Sequence, residues 1–188
     1  MSQIIKDASQ LFESPPDIII FVYKVWQPIY DTIHQMQGNN VHFMKDIPSE
    51  SQLMSLLEDT TSSLIVFDDY LREICDSKVA SDFYSRFAHH CNCSSILITQ
   101  LLGLEGKFKH TVLKNIHTFV LFGSPLDNYA VRSLGIKLGQ CRKLMDIYNH
   151  CTSRPRGYVI VDLNPLTNRK FRYRSHILGS DDHCHIYT

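Results

Sequence analysis

The chain has 188 residues, 44% of them hydrophobic and 20% charged, with nineteen basic residues balancing nineteen acidic ones. That length suits a single domain with one core, and the even charge balance excludes an affinity for nucleic acid or membranes driven by overall charge. The longest apolar run, 18–23, is far too short to span a membrane, and the N-terminus lacks the basic and apolar regions of a secretory signal.

The six cysteines (75, 91, 93, 141, 151 and 184) follow no framework spacing. Without an export signal they are expected as reduced thiols, so the protein is expected to be intracellular, in the cytoplasm or nucleus, and not secreted. There is no internal repeat and no low-complexity segment.

In chain order, "DIIIFVY" (17–23) predicts a buried strand after the Ser-Pro-Pro break at 14–16. A helix is expected over about 27–37, ended by Gly38-Asn39-Asn40, then a short strand at 41–44. Pro48-Ser49-Glu50 opens a helix through Leu57, with Leu53, Leu56 and Leu57 at helical spacing. The run "SLIVFD" (63–68) is the next strand, 71–90 looks helical, and "SSILIT" (94–99) is another apolar strand. A strand at 116–122 precedes helices near 126–134 and 140–150. The end reads as a β-hairpin, with strands at 157–163 and 169–175 joined through Asn164-Pro165.

Apolar strands alternating with helices imply an α/β fold with a mainly parallel sheet flanked by helices. One domain over 1–188 is expected, with a mobile tail at 179–188. Ligands of such sheets bind beyond the carboxyl ends of the strands, where Asp68 and Asp69 follow the apolar run. If 64–68 and 95–100 are adjacent parallel strands, their ends lie about 5 Å apart, and Gln100 faces Asp68. A magnesium-nucleotide site needs such a set: a carboxylate for hydrated Mg²⁺, a group that orients water, and an amide near the γ-phosphate. The same two acids also fit a simpler role, capping the helix that starts near Tyr70.

The partner motif of such a site is G-x-x-x-x-G-K-[ST], whose backbone N–H groups and lysine hold the phosphates. None of the eight glycines is followed by Lys-Ser or Lys-Thr. Gly103-Leu-Glu-Gly106-Lys107 comes nearest, but its spacing is wrong and Phe108 stands where the hydroxyl is needed.

The ordered run "VHFMKDIPSE…LIVFDDY…FYSRFAHHCNCSSILITQLL…FVLFGSPLD…SRPRGYVIVDLNP…FRYRSHI" resembles the DNA-packaging ATPases of Maverick/Polinton elements and related viruses, in the FtsK–HerA branch of P-loop ATPases. The resemblance covers about 15–178. It implies that Asp68 is the Walker B residue holding Mg through water, that Asp69 is the water-activating acid, and that Gln100 is the polar sensor. It makes Arg86 a candidate for reaching a neighbouring subunit's nucleotide. It also implies Mg and ATP as cofactors of the complete protein, double-stranded DNA as a partner, and a homo-oligomeric ring with no membrane.

The departures are specific. The family's first strand and Walker A loop precede the segment that here begins at Met1, and residues 1–13 resemble the tail of the helix after that loop. Cys91 and Leu126 stand where relatives often carry arginine. The chain alone is therefore expected to lack ATPase activity and to bind neither Mg nor ATP. In this fold class the missing strand is central, so two strands are expected to show unpaired edges in mid-sheet. The alternative is a non-catalytic remnant or domesticated interaction module that binds an ATPase subunit or DNA.

Other chemistry is less favoured. For zinc at "HHCNC" (89–93), extended backbone would place the Cys91 and Cys93 sulfurs about 6.5–7 Å apart, against at most about 4.6 Å for two thiolates on one metal. "DDHCH" (181–185) is the sole partner motif. A nucleophilic Cys93 with a distant histidine is a pairing that any chain with this many Cys and His offers. In the last strand Lys170, Arg172 and Arg174 alternate with Phe171 and Tyr173. That pattern is a solvated strand face or, with Arg154 and Arg156, a strip for DNA or a partner.

Overall fold

The computed structural model describes residues 1–37, 40–58, 60–78, 80–81, 92–100, 105–177 and 184–188. They divide into two compact units, one of residues 1–100 with 105–115 and one of 116–188.

The first unit is built on a four-stranded parallel sheet. Its strands are β1 (Ile18–Tyr23), β2 (Val41–Met44), β3 (Ser63–Asp68) and β4 (Cys93–Ile98), in the spatial order β2-β1-β3-β4. The two central strands are the most apolar, and β1 and β3 are buried along all but their last residue. Such strands read as continuous hydrophobic runs because both sheet faces are covered. Among the described residues, this unit carries helices α1 (Ser2–Lys6), α2 (Ala8–Leu11), α3 (Pro28–Gln37), α4 (Glu50–Leu57), α5 (Leu71–Asp76) and α6 (Lys109–Lys114).

Local chemistry explains the helix ends. Ser49 accepts from the Gln52 N–H while the Gln52 side chain accepts from the Ser49 N–H, a capping box that starts α4 one residue after proline. The helix expected over 71–90 instead breaks after Asp76, because Ser77 is extended (φ −100°, ψ 124°). The Ser77 hydroxyl then accepts from the Ala80 N–H, so it caps the next turn. The rest of that expected helix, from 82 on, lies outside the described residues. Helix α6 had no sequence signal, since Val112 is its one buried residue.

One face of the sheet packs Ile19, Phe21, Leu64 and Val66 against Ile5 of α1 and Tyr30 and Ile33 of α3. Burying each such side chain contributes about 1.5–3 kcal/mol.

The second unit is a four-stranded antiparallel sheet, β5 (Thr118–Phe122), β6 (Tyr158–Asp162), β7 (Tyr173–Ser175) and β8 (His185–Tyr187), paired in that order. It carries α7 (Asn128–Lys137) and α8 (Cys141–Thr152). Gly139, at φ +66°, takes the left-handed conformation that ends α7, and Gln140 N–H closes back on the Gly135 carbonyl. The fold is thus α/β, with a parallel sheet flanked by helices and the expected hairpin, β6–β7, near the C-terminus. The hairpin is flanked by β5 and β8.

Two expectations need correction. The strand expected over 169–175 is a 3₁₀ turn at Arg169–Phe171 followed by β7 alone. The Asn168 side chain accepts from the Lys170 N–H and starts that turn, so alternation along the sequence did not translate into strand faces. Residues 185–187 of the expected tail pair with β7.

Candidate functional site

Asp68 is the last residue of β3, at the carboxyl edge of the parallel sheet. The register places it between Tyr23 of β1 and Ile98 of β4. Its side chain points to the face that carries Leu64 and Val66, since residues two apart share a face.

There it meets Tyr30 of α3, whose hydroxyl donates to the Asp68 carboxylate. Tyr30 is only 2% exposed, and burial followed by the Asp68 hydrogen bond and charge pushes its phenol far above the ordinary range. The phenol is thereby fixed as a donor. One carboxylate oxygen, Oδ2, is committed to it, and the Met1 α-ammonium lies near enough to feel the Asp68 charge, which works against the lowering of its pKa by burial.

Tyr30 is held by rings. Phe21 lies 4.9 Å from it, Trp26 5.4 Å, Tyr23 5.6 Å and Phe43 5.7 Å between centroids. Such offset and edge contacts fix the ring and so the direction of its hydroxyl. The contact of Trp26 with Tyr30 depends on α3 folding back over β1, which no local pattern reveals.

Asp69 is exposed and sits at φ 64°, a conformation uncommon for a residue other than glycine, although Asp is among those that adopt it. Its N–H donates to the Ile98 carbonyl at 3.0 Å, extending the β3–β4 ladder by one bond. The left-handed turn then lifts the Asp69 side chain off the strand direction. Strain of this kind costs of order 1–3 kcal/mol and collects at functional sites.

Gln100 does not face Asp68. Ile98 does, and Gln100 is exposed two residues beyond the end of β4. Arg86 lies outside the described residues.

Sequence reading missed a cation on this edge. Lys24 directly follows β1, and its Nζ is 2.7 Å from Glu73 Oε1 and 5.2 Å from the Tyr70 ring centre. Burial works to raise the Glu73 carboxyl, but the hydrogen bond and charge of Lys24 leave it below its ordinary value. Lys24 is thus a candidate phosphate contact, already paired with a carboxylate.

In the second unit the expected cationic strip is broken up. Arg174 of β7 donates to Asp162 Oδ2 at 2.6 Å, and that carboxylate is only 8% exposed. Arg172 follows the 3₁₀ turn with its Nε buried. Lys170 is exposed over the Phe171 ring, and Arg154 and Arg156 are exposed in the turn before β6. Arg174 is therefore structural, and Arg154, Arg156 and Lys170 are the candidates that reach solvent.

Among the described residues, no three His, Cys, Asp or Glu side chains gather as a metal-holding group. Of the zinc motif, residues 89–91 lie outside those described; Cys93 is buried in β4. Likewise, among the described residues no helix is long and apolar enough to cross a membrane.

No family model matches the chain, and no curated protein matches it. A solved structure does: the DNA-packaging ATPase B204 from Sulfolobus Turreted Icosahedral Virus. The match covers 91% of this chain and 82% of that one, with a TM-score of 0.51 and 13% identity. At that identity the likeness is one of fold.

Proposed function

We propose that the chain is a DNA-packaging or translocation ATPase-like protein of viral or mobile-element origin, of the Maverick/Polinton type in the FtsK–HerA branch. The observation that carries this reading is the end of β3. A strand buried up to its last residue, at the centre of a parallel sheet, delivers Asp68 and a strained, exposed Asp69 to the carboxyl edge. It does so in a fold shared with a viral packaging ATPase.

In that role Asp68 holds hydrated Mg²⁺ through Oδ1 while Tyr30 steadies Oδ2, and Asp69 orients the attacking water. Gln100, just past β4, senses the γ-phosphate. Arg86 reaches towards a neighbouring subunit of a ring, and Arg154, Arg156 and Lys170 contact DNA. The donor set is compatible with Mg²⁺, because Tyr30 engages Asp68 through Oδ2 and Asp69 is exposed at the sheet edge. Mg supplies charge neutralisation for the phosphates when it is bound.

These 188 residues hold no G-x-x-x-x-G-K-[ST], so they are proposed not to bind or hydrolyse ATP alone. Titration calorimetry of Mg-ATP into the chain should give no binding isotherm, and tight binding would sink that claim.

The second reading is a non-catalytic module that binds an ATPase subunit or DNA. It is favoured by Cys91 and Leu126, where relatives carry cations, and by the commitment of Lys24 to Glu73. Sequencing the transcript upstream of the Met1 codon separates the two. An in-frame phosphate loop would make Asp68, Asp69 and Gln100 working parts, and Asp69→Asn in the longer protein should then abolish ATP turnover while nucleotide still binds. A stop codon in frame would favour the binding module.

A further inference from the structure

Between the last residue of β3 and the first of α5 stand two residues, Asp69 and Tyr70. The N-cap of a helix usually belongs to Ser, Thr, Asp or Asn, whose side chain accepts from the first turn. Tyr70 holds that position here, and its side chain makes no such bond. It is only 7% exposed, so the position carries a buried phenol in place of a cap.

The phenol runs back over the sheet. Its hydroxyl donates to the carbonyl of Lys45, directly after β2, and has the carbonyl of Tyr23, at the end of β1, 3.4 Å away as a second acceptor. In the order β2-β1-β3, the side chain therefore ties the turn after β3 to the ends of both strands on one side. The registered pairs of β1 with β2 stop at Val22 and Met44, so both acceptors lie where that ladder gives out. Burial, followed by the charges of Asp46 and Glu73, pushes the phenol above its ordinary value, and it stays a donor near neutral pH. Lys24 steadies the ring, with Nζ 5.2 Å from its centre and 2.7 Å from Glu73 Oε1 of α5.

Asp69 thus lies between two fixed points. On its amino side its own N–H donates to the Ile98 carbonyl at 3.0 Å. On its carboxyl side Tyr70 is held through its hydroxyl, and the Tyr70 carbonyl accepts from the Ile74 N–H at 3.0 Å. The reversal at φ 64° closes that short span. Glycine takes such a conformation without cost and aspartate does not, so it persists where the surroundings over-determine it.

We propose that Tyr70 is a positioning residue: its hydroxyl, set on the Lys45 and Tyr23 carbonyls, holds Asp69 in the left-handed conformation and so fixes where that carboxylate stands at the sheet edge. The task of the carboxylate, orienting water, rests on the ATPase-like reading. The restraint on its backbone does not, and a test that reads the backbone alone separates the failure of one from the failure of the other.

Nuclear magnetic resonance of the isotope-labelled full chain is that test. Positive φ brings a residue's own N–H and Hα together and gives a strong cross-peak between them, which wild-type Asp69 should show. Tyr70→Phe keeps the ring and removes the donor. The strong Asp69 cross-peak should then be lost, while that of Arg156, also at positive φ, stays strong. A tyrosine serving stability alone would lower the urea midpoint of Tyr70→Phe and leave the Asp69 cross-peak unchanged; that result overturns the proposal, as does a weak cross-peak in the wild type. If Tyr70→Phe does not fold, Asp69→Gly is added to it, since glycine adopts positive φ without strain. Recovery of the fold supports the restraint, and a double variant that stays unfolded overturns it.

Discussion

At Asp68 the burial of a strand end competes with the solvation of a carboxylate, and Tyr30 settles the balance by donating a hydrogen bond from inside a ring cluster. Tyr30→Phe keeps the packing and removes the donor. It should cost about 1–3 kcal/mol, read as a lower urea midpoint with an unchanged m-value. Asp68→Asn retains an acceptor for the phenol and should cost clearly less. Asp17 plays the matching part at the amino edge. Its Oδ2 accepts from the Thr61 hydroxyl at 2.7 Å and from the Thr61 and Ser62 N–H groups at 2.9 and 3.1 Å. Those bonds, the Thr61 hydroxyl first, hold the carboxyl below its ordinary value. A depressed folded-state value means that the stabilisation is complete above the unfolded value, about 3.9. It is lost as pH falls below that through the folded value. Asp17→Asn should therefore lose stability near neutral pH and show a shallower decline on acidification, measured by urea midpoints across that range.

Among the elements, α7 and α8 approach each other closely. A Cβ on Gly135 would lie 2.8 Å from the Cys141 Cα. Cys141 opens α8, so a methyl at 135 must push the first turn of α8 aside. Although alanine favours a helix by about 1 kcal/mol, Gly135→Ala should lower stability by roughly 1–3 kcal/mol through overpacking, visible as a lower melting temperature. The strands β1, β2, β3 and β6 were legible because their side chains leave little choice of element. The sequence at 169–175 alternates like a strand, yet Asn168 captures the Lys170 amide and makes a turn. Local side-chain bonding of that kind defeats periodicity.

For the whole molecule, charge neutrality sets the expectation. With nineteen charges of each sign, and with Arg174 committed to Asp162 and Lys24 to Glu73, the chain alone should bind double-stranded DNA too weakly to detect at physiological salt. Fluorescence anisotropy with a labelled duplex reads this directly. Tight binding would instead show that Arg154, Arg156 and Lys170 make a working interface without a ring.

Periodicity and composition were enough for an α/β chain and for a buried strand running into two acids. Those are properties of short windows, where burial on both faces demands continuous apolar residues. The pairing of Asp68 with Tyr30, the offset of Gln100 by two residues and the ion pair that removes Arg174 from any cationic strip were decided by tertiary structure. Each joins residues distant along the chain or depends on a register between strands, and no local pattern encodes which side chain arrives opposite another.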